Sequence, residues 1–554
     1  MAMRKKNFLI IVLNLKYPLL LKRLQILDDA CNSIEEYYHE YDFQSVPCNG
    51  FRTFVKVVDL YFASLSRFSR QAHRSEQTIK EYDTLSRLLC NNAEAAAMIR
   101  EKGHNYPLQC TDADCEILEK FIAIKPEHMR PLFSKVGIFY VKQDYKPHYQ
   151  QTLTVMNMMT ASSLFQKLRM MFSPRFRSRV QSSNAVSLTM SEAKGMRNLN
   201  QFPMNILLHL VTRPPGSSYR WIYVPRDLSD WIISLPDVKS PAILQKKSLV
   251  NPDANPVTGK YSGRKLIKTL LLRPQAMRVK PNSLLIHIPG GGFITFSAKG
   301  YMTLMSRVCS EIGVPVIVPE YAKAPEKPYP AAIQDILDLY LFLTSGDQKV
   351  MDMLGFHPEN ILLSGDSAGG QLATVLTIAL NEIRKTGCSV RMPNSLALQY
   401  TAAIPGFVAT PGAALSGLDT CVTIAVSRLS AALYAECEPK IDVSMYQERQ
   451  ESILNRYELM KRFNDRLKDP FYNPLVYDHF EDFWDIPISI LVCEMDSLID
   501  HSIAIAKKWR GPVILDVARG LPHAFVMGRE TPAVAGETQR LIRRLASALG
   551  KRPL

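Results

Sequence analysis

A serine, a histidine and two candidate acids carry the strongest chemical signal in this chain. Ser367 is the centre of Gly365-Asp-Ser-Ala-Gly369, with an apolar run at 361–363 before it and a helical pattern over 371–383 after it. A strand, a tight turn and a helix around Gly-x-Ser-x-Gly lift the serine oxygen clear of a sheet, at the positive end of the helix. Small residues make ordinary turns too, so the flanks and the partners must decide. His287-Ile-Pro-Gly-Gly-Gly-Phe293 follows another apolar run, and its consecutive glycines can aim backbone N–H groups at one point. Acyl transfer needs such donors, because negative charge develops on the carbonyl oxygen. Gly291 and Gly292 are the expected donors, with the N–H of Ala368 as the third. His523, in Leu521-Pro-His-Ala-Phe525, lies beyond an apolar run at 513–517, where it can take the proton of Ser367. Asp496, after the run at 488–493, can orient the imidazole and stabilise its cation. Asp500 is the rival acid; Asp496 is preferred because it sits nearer the strand end, and Asp500 can instead cap the helix that follows.

These residues need a sheet to stand on. Short apolar runs at 283–288, 314–318, 361–363, 395–399, 488–493 and 513–517 alternate with helical patterns at 301–312, 331–344, 371–383, 502–509 and 532–549. That alternation predicts an α/β architecture, a doubly wound and mostly parallel sheet covered on both faces, with ligands at the carboxyl ends of the strands. The stretch 410–470 breaks the alternation with charged helical sequence and reads as a lid inserted between strands. Residues 20–250 read mainly as helices, for example 78–100 with Ile79, Tyr82, Leu85, Leu88 and Leu89 at helical spacing. The polar stretch 248–264 reads as a connection. The expected division is a helical domain over 1–265 and a catalytic domain over 266–554.

Composition excludes several classes. The chain has 554 residues, enough for two domains, and 47% hydrophobic with 21% charged residues describes a folded protein. No uncharged apolar run is long enough to span a membrane. Arg4-Lys5-Lys6 before the apolar run 8–15 has some character of a secretory signal, but Lys16 interrupts it and no cleavage site follows, so an amphipathic or buried helix is expected. Ten scattered cysteines without Cys-x-x-Cys point to free thiols in a reducing compartment, with no metal site and no cofactor expected. Net charge is +15, which suits an anionic partner, yet no nucleic-acid-binding motif is present. The Met- and Phe-rich basic stretch 156–179 could lie on a lipid surface or pack on the core with a solvated basic edge; the second is expected.

Gly290-Gly-Gly-Phe293, Glu320-Tyr-Ala-Lys-Ala-Pro-Glu-Lys-Pro-Tyr-Pro330, Gly365-Asp-Ser-Ala-Gly-Gly370, Met495-Asp-Ser-Leu-Ile-Asp500 and Leu521-Pro-His-Ala-Phe525 together resemble the hormone-sensitive lipase family of α/β-hydrolases. The order Ser, Asp, His is the one that fold uses. Asn49-Gly-Phe-Arg-Thr-Phe54 and 124–133 are similar, more loosely, to the family's N-terminal helical segment. The resemblance implies a cytoplasmic serine hydrolase of acylglycerols and sterol esters, homodimeric, acting at lipid droplets or membranes. Two departures stand out. Proline replaces the family's usual histidine at Pro289, and the region 410–470 is short for a regulatory module. Arg543-Arg-Leu-Ala-Ser547 resembles a basophilic kinase site, a motif that arises easily by chance. A soluble short-chain carboxylesterase or amide hydrolase, and a non-catalytic ligand receptor on this fold, remain the alternatives.

Overall fold

The computed structural model describes residues 2–103, 217–249, 266–435 and 464–550, apart from a few positions within them, with scattered positions between 111 and 176. The stretches 124–133 and 250–264, nearly all of 156–179, and 436–463 within the expected lid lie outside the described residues.

Four helices open the chain: α1 (Ala2–Asn14), α2 (Pro18–Glu35), α3 (Gly50–Ser69) and α4 (Glu76–Glu101). Asn49 and Ser75 cap α3 and α4 by accepting from the N–H groups of Arg52 and Thr78. Their apolar faces close on a core of their own, and Ile79, Tyr82, Leu85, Leu88 and Leu89 are all buried in it. Arg4 of α1 is buried as well, held by Asp28, Glu35, Asp59 and Asn32. The expected amphipathic helix at the N-terminus is therefore anchored by one buried cation among three carboxylates.

The remaining elements are β1 (Ser217–Pro225), β2 (Trp231–Ser234), β3 (Ile243–Lys246), β4 (Leu266–Pro274), β5 (Ser283–Ile288), α5 (Met302–Ile312), β6 (Val316–Pro319), α6 (Ala331–Leu343), α7 (Gln348–Leu354), β7 (Asn360–Asp366), α8 (Ala368–Lys385), β8 (Ser395–Gln399), α9 (Ile424–Ala435), β9 (Ile488–Cys493), α10 (Ile499–Lys508), β10 (Val513–Ala518) and α11 (Pro532–Ala548). Eight strands form one sheet in the order β1-β4-β6-β5-β7-β8-β9-β10. β1, β4 and β6 pair antiparallel, and β6 through β10 run parallel. β5 is buried along its whole length. Leu284 and Ile286 face a core built with α6 and α8, while Leu285 faces one built with α5 and α11. A strand covered on both faces must read as a continuous apolar run, which is why these strands were legible.

The helical expectation for 20–250 is corrected at its end. β1, β2 and β3 lie there, and β1 extends the large sheet to residues N-terminal of the expected boundary at 265. β1 is an outer strand with one face toward solvent, so Arg220 interrupts its aromatic and β-branched character. β6 starts at Val316, after Pro315, because proline has no N–H for the ladder; its carbonyl instead accepts from Leu285.

The helical core does not stop at the first four helices. It takes in Ala409, Ala414, Leu415 and Leu418 from the insertion, and Met495 from the turn after β9. Thr53 donates to the Glu494 carbonyl at 2.8 Å, Lys56 pairs with the Glu494 carboxylate at 2.7 Å, and Asn92 donates to the Ala414 carbonyl at 2.9 Å.

Candidate active site

α8 begins at Ala368, directly after Ser367, because Gly369 and Gly370 continue the helix rather than breaking it. Their glycine identity answers to close approach. A Cβ on Gly369 would lie 2.0 Å from the Ile288 carbonyl oxygen, and one on Gly365 would lie 2.3 Å from the Gly369 carbonyl oxygen. Ser367 itself has φ 52° and ψ −124°, a conformation non-glycine residues rarely adopt, and it carries the side chain off the end of β7.

The structure brings Ser367, His523 and Asp496 into one hydrogen-bonded chain. Ser367 Oγ lies 2.8 Å from His523 Nε2, and His523 Nδ1 lies 2.7 Å from Asp496 Oδ2. The other Asp496 oxygen accepts from the Leu498 N–H at 2.7 Å, which fixes the carboxylate. The acid turn and the histidine loop are tied together by Met495 N–H donating to Leu521 O and Gly520 N–H donating to Glu494 Oε2. All three side chains are buried. Burial by itself would depress the His523 pKa; the charge and hydrogen bond of Asp496, with Asp419 and Asp366 behind them, outweigh burial and hold it above the ordinary histidine value.

Asp500 is elsewhere. It stands within the first turn of α10 and accepts from the N–H groups of Gly50 and Gly412, so it neither reaches His523 nor caps its own helix. Burial pushes its carboxyl up to about 7. It joins the start of α3 to the insertion, a role visible only once residues far apart in sequence meet.

With proline at 289, the glycine loop is held by two tyrosines and Asp366. Gly290 N–H is shared between Tyr301 Oη (2.8 Å) and Asp366 Oδ1 (3.0 Å), Tyr301 donates to Asp366 Oδ2 at 2.9 Å, and Tyr321 donates to the Pro289 carbonyl at 2.8 Å. Gly291, Gly292 and Phe293 take φ of 101°, 59° and 63°. The N–H groups of Gly291, Gly292 and Ala368 donate to no protein group among the described residues. They are left free toward a cavity of about 930 Å³, open mouth included, which also contains Ser367 and His523. One wall is α9 of the insertion, fastened to the loop where Tyr434 stacks on Phe293 with ring centroids 3.8 Å apart.

Sequence reasoning missed Asp419. It is buried beside the acid turn, accepts from the Cys421 and Val422 N–H groups, and takes the Ser497 N–H at 3.1 Å. Burial, then the charge of Asp496, raise its carboxyl to about 7. His501 lines the cavity with its pKa pushed down to about 3 by burial and then by His523, so its ring is neutral. Neither residue belongs to a recognisable motif. Among the described residues no group of three or more His, Cys, Asp or Glu could hold a metal ion, and no helix is long and apolar enough to cross a membrane.

Residues 285–527 match a family described as the alpha/beta hydrolase fold, and residues 12–99 match one described as the hormone-sensitive lipase N-terminus. The chain is similar to hormone-sensitive lipase of Bos taurus, 32% identical over 169 residues, which is 30% of this chain and 21% of the relative. It is also similar to that of Mus musculus, 31% identical over 170 residues, with 30% and 21% covered. The matched stretch thus spans about a fifth of these relatives. A solved bacterial heroin esterase aligns with 66% of this chain and 94% of its own, at 17% identity and a TM-score of 0.47.

Proposed function

From a chain that belongs to the α/β-hydrolases of the hormone-sensitive lipase family, we infer a carboxylic ester hydrolase that cleaves lipid esters through a serine acyl-enzyme. The observation that carries this is the Ser367–His523–Asp496 chain, which faces three unpaired backbone N–H groups across one cavity. Ser367 attacks the ester carbonyl while His523 Nε2 takes its proton. Asp496 keeps Nδ1 protonated and stabilises the imidazolium. The N–H groups of Gly291, Gly292 and Ala368 hold the oxyanion, helped by the N-terminal end of α8. The imidazolium returns its proton to the leaving alkoxide, and a water activated by His523 then cleaves the acyl-enzyme.

Neutral lipid esters (di- and triacylglycerols and sterol esters) are the substrates this reading favours. The cavity wall supports it, being largely apolar, with Phe293, Val422, Val426, Leu498 and Met527 around the reacting atoms. A lipid surface as the place of action is supported by α1 and α2. Met3, Leu9, Leu13 and Leu19 are exposed by 60% or more, beside exposed Lys5, Lys6, Lys16 and Lys22, and no acid precedes Asp28. Apolar side chains ringed by lysines suit an anionic lipid surface, whereas two such faces would repel each other. The reading carries with it a cytoplasmic enzyme recruited to lipid droplets or membranes.

The test is hydrolysis of emulsified diacylglycerol beside dissolved p-nitrophenyl butyrate, for the native chain and Ser367→Ala. Cleavage of both by the native chain and neither by the variant is expected. Cleavage of the dissolved ester alone would remove the lipid role, and activity surviving Ser367→Ala would overturn the nucleophile.

A further inference from the structure

Ser430 belongs to α9, the insertion helix, and not to the sheet that carries the triad. It is 7% exposed, and its hydroxyl has no hydrogen-bond partner among the described residues. A serine inside a helix ordinarily returns its hydroxyl to a carbonyl one turn back, and Ser430 does not. A buried hydroxyl without a partner is destabilising, so its position calls for a reason. Ser430 lines the same cavity as Ser367, His523, Gly291 and Gly292. A Cβ placed on Gly292 would lie 2.5 Å from Ser430 Oγ, so the hydroxyl stands directly against one of the glycines whose N–H group is also unpaired. Two unpaired donors, one from the glycine loop and one from the insertion helix, thus belong to neighbouring residues on the wall of one cavity.

We propose that Ser430 is a catalytic residue that donates its hydroxyl hydrogen to the ester carbonyl oxygen beside Gly292, so that the insertion helix supplies a further donor to the oxyanion. The proton stays on Ser430 Oγ throughout; the bond is a hydrogen bond that strengthens as charge moves onto the carbonyl oxygen. The seat of α9 on the loop through Phe293 and Tyr434 holds the hydroxyl there before substrate arrives. The native chain accepts an unpaired buried group in exchange for stabilising the transition state, as functional sites commonly do. This rests on the reading of Ser367 as nucleophile.

The experiment compares the native chain with Ser430→Ala, measuring kcat and KM on p-nitrophenyl butyrate, Tm, and labelling of Ser367 by a fluorophosphonate. The ester has one carbonyl and no second oxygen for the hydroxyl to bind on the acyl side. The expected result is a kcat lowered on the order of 10- to 100-fold, KM nearly unchanged, and a Tm equal to or above the native one. An unchanged kcat overturns the proposal. So does a fall in kcat accompanied by a fall in Tm, which would make Ser430 a packing residue, or a raised KM with kcat kept. If the native chain itself neither turns over the ester nor labels at Ser367, the hydrolase reading fails first and Ser430 falls with it. Turnover and labelling in the native chain with an indifferent Ser430→Ala would sink the Ser430 assignment alone.

Discussion

His523 works against four neighbours at once. Asp496 holds it, Asp419 and Asp366 add negative charge behind it, and neutral His501 lies close by. The base must be neutral to accept the Ser367 proton, so kcat/KM rises as pH climbs through the His523 pKa. That acid limb is expected above 6.5, the ordinary value. Asp419→Asn removes a charge that raises the pKa, so the limb should move to lower pH; a limb that stays put would limit Asp419 to holding the Cys421–Val422 turn. Asp496→Asn should reduce kcat by roughly 10³- to 10⁴-fold, whereas Asp500→Asn should act on stability instead. Ser367, Asp496 and His523 were legible because a strained turn, a strand end and a loop each leave a local pattern. Asp419 and Ser430 were not, since their significance lies in burial and in neighbours supplied by distant parts of the chain.

Elements sort themselves by how many faces they bury. β5 through β9 are covered on both sides and β10 closes the sheet edge with Ile514 exposed, yet all of them read as apolar runs. β1 pairs on one edge only, carries Arg220 toward solvent, and escaped notice. β4 fell between an expected connection and the first recognised strand, although its interior is buried. The tight join of β5, β7 and α8 makes Gly369→Ala a severe change, because the added methyl meets backbone at 2.0 Å; loss of soluble protein or of Tm would show it. On α1 and α2 the exposed face makes the opposite kind of prediction. Changing Lys5, Lys6 and Lys16 together to Glu should weaken flotation with anionic phospholipid vesicles while leaving hydrolysis of dissolved p-nitrophenyl butyrate near native. Equal flotation of both proteins would remove this face from the lipid reading.

At the scale of the molecule, the four N-terminal helices are built into the catalytic half through the turn that bears Asp496. Asp500 lies at that junction with a carboxyl raised from 3.8 to about 7. Between those values the folded chain holds a proton that the unfolded chain releases, so this residue's contribution to stability falls as pH rises from about 4 to about 7. The difference in unfolding free energy between the native chain and Asp500→Asn should therefore shrink over that range, read from urea midpoints at several pH values. The match of residues 12–99 and of 285–527 to separate families marks two modules in sequence, yet Ala409, Ala414, Leu415, Leu418 and Met495 from within the second lie in the core of the first. That junction also has a history in time. Gly50 meets Asp500 across 450 residues, which a ribosome takes roughly 20 to 90 s to synthesise. For that interval the first helices exist without the surface they will cover. His523 follows later still, so the hydrogen-bonded chain that runs from Ser367 to Asp496 cannot close before residue 523 has been translated.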